Sequence, residues 1–455
     1  MYILSVILAL AMIAITAFLL IKGYYPQMIL LIAGIIMLIL AYFLGKDLPV
    51  LIKPTGMIAF DLIAYLKESF SGKLAGVGLM IMSIGGYVKY MQHLGASSTL
   101  VKVAMKPISY FKKTPYLAAV LVIPIGQLTF TCVSSATGLG MLLMAAIYPV
   151  LMNLGISRVT AVSVITACTV FDLGPSSANS NQAASVLNMD VMEYFLTKQI
   201  IIVVPVTIAL VILYYFVNKY FDKREEVKSK EVVIEEEVVS VPRYYAFFPV
   251  FPLLLLVLFS GVFKIFNPPV VLDTTIAMLF CTLVVFFIEW IRRKELKASI
   301  EGLRIFLNGM GTVFSSVVTL IVCADVFSKG LLSLGFINAL IGASQALGFG
   351  SIGVNGLMTS MIYGSSVLMG SGNASFFAFS PLVPDIIAQL GGDASQMLLP
   401  MQLASSMGRA CSPIAAVVIA TSKIAGIDPF MVARRNIIPL SIGAALMFLL
   451  STILI

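Results

Sequence analysis

Apolar residues in this chain come in long, nearly unbroken blocks separated by short polar stretches. Runs at about 2–21, 27–44, 74–92, 199–218, 246–263, 271–290, 309–327 and 436–454 approach or reach the roughly 20 residues a helix needs to cross a bilayer. Each predicts a membrane-spanning helix. Two further stretches, 157–190 and 394–425, are long enough to cross but carry Gly-Pro or Ser-Pro near the middle, where proline removes a backbone donor and breaks the helix. The shorter apolar arms within 116–153 and 351–389 are interrupted by Ser, Thr, Gly or Asn, and each pair reads as a re-entrant helical hairpin. The expected architecture is an all-α polytopic membrane protein with ten crossings and two hairpins.

Composition narrows the class. Hydrophobic residues make up 60% of the chain and charged residues 11%, with a mean hydropathy of +1.04, whereas soluble proteins carry about a quarter charged residues. The first run, "MYILSVILALAMIAITAFLLI", lacks a basic leading region and a small-residue cleavage site, so it is expected to be a retained span and not a signal peptide. Cys132, Cys168, Cys281, Cys323 and Cys411 lie scattered in apolar segments without a C-x-x-C, which implies neither a disulfide framework nor a metal site. A net charge of +8 would point to nucleic acid in a soluble chain. Here lipid is the surrounding partner, and the distribution of charge matters more than its sum.

Cytoplasmic loops of membrane proteins concentrate Lys and Arg. Placing the charged linker 219–243 inside leaves only Lys46, Lys53, Lys67, Lys73, Lys198, Lys264 and Lys329 outside, and Arg409 at membrane depth, out of 29 cations. Both termini then face out. The linker, the one long charged run, divides the chain into halves 1–218 and 244–455 that echo each other. Leu94-Gly95 is answered by Leu334-Gly335, 240 residues on, and Pro175 by Pro413, 238 on. With five crossings per half, the second must run upside down, giving two inverted repeats.

Four polar breaks carry the candidate chemistry: "FTCVSSATGLG" at 130–140, "FDLGPSSANSNQ" at 171–182, "GSGNASFFAF" at 370–379 and "ASSMGRACSP" at 404–413. Their order, hairpin tip then broken helix, is the same in both halves. A tip followed by a helix start offers unpaired N–H groups and a positive dipole end to a carboxylate, while unwound carbonyls with Ser, Thr and Asn oxygens suit a small cation. Small polar residues also simply let membrane helices approach closely. Arg409, a cation inside a span, is expected to balance a substrate carboxylate; the alternatives are snorkelling to the interface or pairing with an internal acid. Asp172 and Asp325 are the acids available to pair with it, take a proton or hold sodium, with Asp325 placed nearer the interface. His93 is expected at a span end and not in a proton relay.

No phosphate loop, H-E-x-x-H or G-x-S-x-G is present, and the single histidine cannot build a zinc site. The chain is therefore read as no enzyme. At its breaks it resembles the DcuC family of anaerobic C4-dicarboxylate transporters, on "SSATGLGMLLMAAIYPVLMNLGISR" at 134–158, "GSGNASFFAF" at 370–379 and "SSMGRACSP" at 405–413. The resemblance implies uptake, exchange or efflux of fumarate, succinate, malate or aspartate across a bacterial inner membrane. It also implies a scaffold domain with a moving transport domain, an elevator mechanism, and a homodimer. By position it maps substrate binding to Ser134, Ser135, Thr137 and Gly138, to Pro175, Ser176, Ser177 and Asn179, to Ser371, Gly372 and Asn373, and to Arg409, Ser412 and Pro413. No cofactor is expected; the coupling ion is sodium or a proton, with sodium near Ser135, Thr137, Asp172 and Asn373. Asp172 and Asp325 depart from the family pattern and leave a carrier of another organic anion or of amino acids open. An ion channel or a receptor-like binding protein is the alternative from another class.

Overall fold

A computed structural model describes residues 2–111, 113–225, 241–260, 270, 272–346 and 350–455. Among them all regular structure is helical. In the first half α1 (Tyr2–Ile21) and α2 (Pro26–Phe43) are followed by a long helix, α3 (Ile58–His93), and a short one, α4 (Ala96–Ala104). Next come α5 (Pro115–Phe130), α6 (Ala136–Ala146) and α7 (Tyr148–Asn153), which fill the first expected hairpin. The pair α8 (Arg158–Ala167) and α9 (Ala178–Leu187) flanks the first break, and α10 (Val191–Arg224) ends the half.

The second half repeats that order. It begins with α11 (Arg243–Leu258), α12 (Thr274–Arg293), the long α13 (Leu296–Ser333) and the short α14 (Phe336–Ala346). The second hairpin region holds α15 (Ser351–Met369), α16 (Gly372–Phe379) and α17 (Val383–Leu390). Then α18 (Ala394–Ala410) and α19 (Ala416–Ala425) flank the second break before α20 (Pro429–Leu454). Local detail recurs as well. Both long helices widen into a π-type turn, at Leu74–Gly78 and Phe314–Val318. Ser135 and Ser371 cap α6 and α16, and Asp190 and Asp428 cap the helices that close each half. In each case a side-chain oxygen accepts one of the first backbone N–H groups, which lack partners within the helix.

Among the described residues, eight helices are long and apolar enough to cross a membrane, but they are not the eight uninterrupted runs expected. The run at 246–263 becomes α11, which falls short of a span; Pro249 and Pro252 sit inside it, and 261–263 lie outside the described residues. In its place α15, expected as a hairpin arm, is long enough to cross. The runs at 74–92 and 309–327 prove to be the inner parts of α3 and α13, whose earlier turns carry Asp61, Lys67, Glu68 and Lys73 in one and Lys297, Glu301 and Arg304 in the other. Charge interrupted the apolar pattern while α13 stayed helical, and in α3 the backbone leaves helical geometry only at Gly76 (φ −93°, ψ −112°), where two helical stretches meet at a kink. Most of the linker 219–243 lies outside the described residues, which resume at Val241.

Glycines set the closest helix approaches. A side chain at Gly34 of α2 would meet the Val326 and Phe327 backbone of α13 at 2.7 Å, and one at Gly330 would meet the Gly34 carbonyl at 2.9 Å. A side chain at Gly86 of α3 would stand 2.8 to 2.9 Å from Phe306 and Met310 of α13, and one at Gly309 would stand 2.8 Å from the Gly86 Cα. Helices in lipid gain from such contact because no hydrophobic effect drives them together. Residues from the hairpin regions, the breaks, α10 and α20 form one large buried cluster, and the C-terminal half of α3 forms a second with α11, α12 and α13. The outer faces of α1, α10 and α12 expose Ile7, Phe18, Ile208, Phe216, Phe280 and Phe287, as helices bathed in lipid do.

Candidate functional site

The two breaks meet across a dense polar network. After α8 ends at Ala167, ten residues pass before α9 begins at Ala178, so this backbone must find partners outside a helix. Asp172 provides several. Its side-chain Oδ2 accepts from Ser406 Oγ at 2.7 Å, Asn179 Nδ2 at 3.1 Å and Arg409 Nη1 at 3.1 Å, while its backbone carbonyl accepts from Gln402 Nε2 at 2.7 Å and Ser180 Oγ at 3.0 Å. Arg409 Nη2 donates to the Thr169 carbonyl at 2.6 Å. Gln199 bridges Gly174, Ser180 and Gln402, and Tyr194 donates to Gln402 Oε1 at 2.8 Å. Arg409 is thus paired with an internal acid, with side-chain exposures of 13% for Arg409 and 10% for Asp172.

A cavity of about 310 Å³ opens beside this network. Ser134 and Ser135 from the first tip, Asn373 from the second and Ser176 from the first break all line it, with Ala178 at the start of α9. The rest of the lining includes residues of α3 and α13, among them Gly85, Val88, Lys89, Gln92, Gly309 and Thr312. The N-termini of α6 and α16 therefore reach one space, where their first-turn N–H groups and positive dipole ends favour an anion. Asn373 makes no side-chain hydrogen bond among the described residues, which leaves its amide available to the cavity.

The other expected residues fall into two groups. Some shape the tips: Thr137 and Gly138 lie in the first turn of α6, and a side chain at Gly138 would meet Gln92 Nε2 at 2.9 Å. Ser371 caps α16 by accepting from Ala374 N at 3.3 Å, and a side chain at Gly372 would stand 2.8 Å from the Ser405 carbonyl. Others hold the breaks and do not line the cavity. The carbonyls of Pro175 and Ser177 accept from Asn181 at 2.8 and 2.6 Å, and Ser177 Oγ caps α9. Asn179 is spent on Asp172, and Ser412 is wholly buried beside Pro413. Of the suggested sodium ligands, Ser135 and Asn373 line the cavity, and Thr137 and Asp172 do not.

Two residues gain surroundings the sequence did not assign. Asp325 is buried and partnered: it accepts from Ser69 Oγ at 2.9 Å and Tyr65 OH at 3.0 Å, and pairs with Lys73 at 3.5 Å. Lys89, counted with the cytoplasmic cations, lines the cavity with Gln92. The signal was present, since positions 85, 88, 89 and 92 recur at helical spacing, but without a partner helix it had no meaning. His93 is exposed at the end of α3.

Because Gly372 abuts backbone, which yields little, Gly372→Ala is expected to cost about 1–3 kcal/mol by overpacking. Thermal unfolding in detergent checks this, and an unchanged midpoint would mean that the tip does not rest on α18.

The family model "C4-dicarboxylate anaerobic carrier", DcuC, matches residues 3–455. The anaerobic C4-dicarboxylate transporter DcuC of Escherichia coli is 32% identical over 436 residues, covering 96% of this chain and 93% of that protein. A DcuC relative from Vibrio cholerae is 35% identical over 429 residues, covering 93% and 92% of the two chains. Among solved structures, the YdaH transporter of Alcanivorax borkumensis superposes with a TM-score of 0.57 at 13% identity, covering 94% of this chain and 97% of that one. MtrF of Neisseria gonorrhoeae, described with a class of antimetabolite efflux pumps, gives 0.56 at 12% identity, covering 93% and 94%. At such identities these two speak for the fold alone. A family match along almost the whole chain, joined to full-length relatives, makes this protein a member of the DcuC family, a multi-pass inner-membrane transporter and not an enzyme.

Proposed function

We propose that the chain is a secondary transporter that binds a C4-dicarboxylate such as succinate or fumarate in the 310 Å³ cavity and carries it by an elevator motion. The observation that supports this most is the convergence of Ser134, Ser135, Ser176 and Asn373 on that one cavity. Its volume falls at the small end of the roughly 300–1,000 Å³ of ligand sites, and two helix N-termini suit a ligand with two carboxylates. In this reading the two hairpins and broken helices ride together as the transport domain, against a scaffold containing α3 and α13. The halves 1–218 and 244–455 are inverted repeats, supported by the repeated order of elements, the paired π-type turns and the paired caps. Sodium, a proton or a counter-substrate supplies direction.

Counterflow tests the reading. Proteoliposomes loaded with unlabelled succinate are offered labelled fumarate, succinate, aspartate, citrate or arginine, with and without sodium. Saturable uptake confined to C4 acids is expected. Uptake of arginine or citrate instead would replace the cargo, and non-saturable flux would indicate a channel.

A further inference from the structure

We infer that Lys89 supplies the positive charge that meets a substrate carboxylate when the cavity is open to one face of the membrane, and that Lys329 does the same toward the other face. This deepens the transport reading and rests on it. Two carboxylates in a low-dielectric site need a cation as well as dipoles, and Arg409 is already committed to Asp172 and the Thr169 carbonyl. Lys89 is not so committed. Its one hydrogen bond is to Thr312 Oγ1 at 3.3 Å, and it forms no ion pair among the described residues. It lines the same cavity as Ser134, Ser135 and Asn373, so a ligand held at those residues would share the cavity with its ammonium.

Lys329 is its positional counterpart, 240 residues on, with the same Leu-Gly pair following five residues later. It lines a separate cavity of about 570 Å³ with Lys46, Asp47, Tyr65 and Asn338. Lys329 likewise forms no ion pair among the described residues. Contacts between α3 and α13 place the two cavities at opposite ends of an antiparallel pair. Lys73 meets Asp325, Gly78 faces Val318, Gly86 faces Met310 and Tyr90 faces Gly302. Lys329 is therefore level with about residue 69 of α3, some 20 residues from Lys89. At 1.5 Å per residue, shortened by the kink at Gly76, that is at most about 30 Å, comparable to the thickness of the hydrocarbon core. A carrier whose binding tips moved between these levels would trade one lysine for the other.

The test is succinate counterflow in right-side-out and inside-out vesicles, using the full chain and its Lys89→Gln, Lys89→Arg and Lys329→Gln variants. Expected for Lys89→Gln is at least about a tenfold rise in half-saturating succinate from one face only, as for loss of a charge-assisted hydrogen bond. Preference for succinate over butyrate should fall with it. Lys329→Gln should do the same from the opposite face, and Lys89→Arg should retain near-normal half-saturation. Should Lys89→Gln fail to fold, Lys89→Arg and Lys329→Gln still decide the matter. Unchanged half-saturation from both faces in a variant that counterflows, or a rise on the same face for both lysines, would overturn the assignment alone. Absence of any C4-dicarboxylate counterflow in the unmodified chain would instead overturn the transport reading beneath it.

Discussion

Arg409→Gln is expected to cost about 3–5 kcal/mol of stability, because removing one partner of a buried ion pair strands the other. Asp172 would keep Ser406 and Asn179 as donors but lose the one cation that pairs with it among the described residues, at a side-chain exposure of 10%. The Thr169 carbonyl would lose Arg409 Nη2 as well. Asp172→Asn should be comparably harmful, since it leaves the guanidinium uncompensated. The double variant Asp172→Asn with Arg409→Gln should recover part of the loss, because no orphan charge remains. Thermal unfolding of the detergent-solubilised protein, with monodispersity as a second readout, gives the coupling between the two sites. Additive losses would break the inferred pair. A stable Arg409→Gln protein with weakened succinate counterflow would return Arg409 to the role the sequence suggested, as the direct counter-ion of the substrate.

The fate of Arg409 shows which parts of this protein were legible in its sequence. An apolar block of sufficient length has few options in lipid, so the all-helical class, the breaks at Pro175 and Pro413, and the helix starts at Ser135 and Ser371 could be read from pattern alone. Capping serines before short helices and prolines inside long apolar segments act within a few residues of themselves, and the chain shows such effects directly. The partner of a charge does not follow from local pattern. Asp172 and Arg409 are 237 residues apart, and both a paired and a substrate-facing arginine fit the same string of letters. The surroundings of Lys89 were hidden for the same reason in reverse: it sits near the end of an apolar run, where lysine usually snorkels to the interface. Only the approach of α13 along Gly85, Gly86 and Gly309 reveals that its surroundings form a cavity wall. The length of α3 and α13 was also hidden, since their early turns are amphipathic and not uniformly apolar.

Arg435 carries the second large effect, and it too was counted as a cytoplasmic cation. It is wholly buried on α20, with Nη1 2.8 Å from Asp222 Oδ1, 3.1 Å from Thr160 Oγ1 and 3.2 Å from the Asn218 carbonyl. Its guanidinium lies 5.0 Å from the Phe221 ring centroid. Asp222 in turn accepts from Ser157 and Thr160, each at 2.8 Å, and from Tyr116 at 3.1 Å. One ion pair thereby joins the starts of α5 and α8, the far end of α10 and the second turn of α20. Arg435→Gln is expected to lose about 3–5 kcal/mol through the stranded carboxylate, and Asp222→Asn a similar amount through the stranded guanidinium. Because neither residue lines the cavity, whatever protein still folds should keep its half-saturating succinate concentration. The yield of folded protein should fall instead. That split separates this pair from Lys89, where binding is expected to suffer and folding is not. A changed half-saturation at normal yield in Arg435→Gln would mean that the junction of α5, α8, α10 and α20 moves during transport and is not a fixed brace.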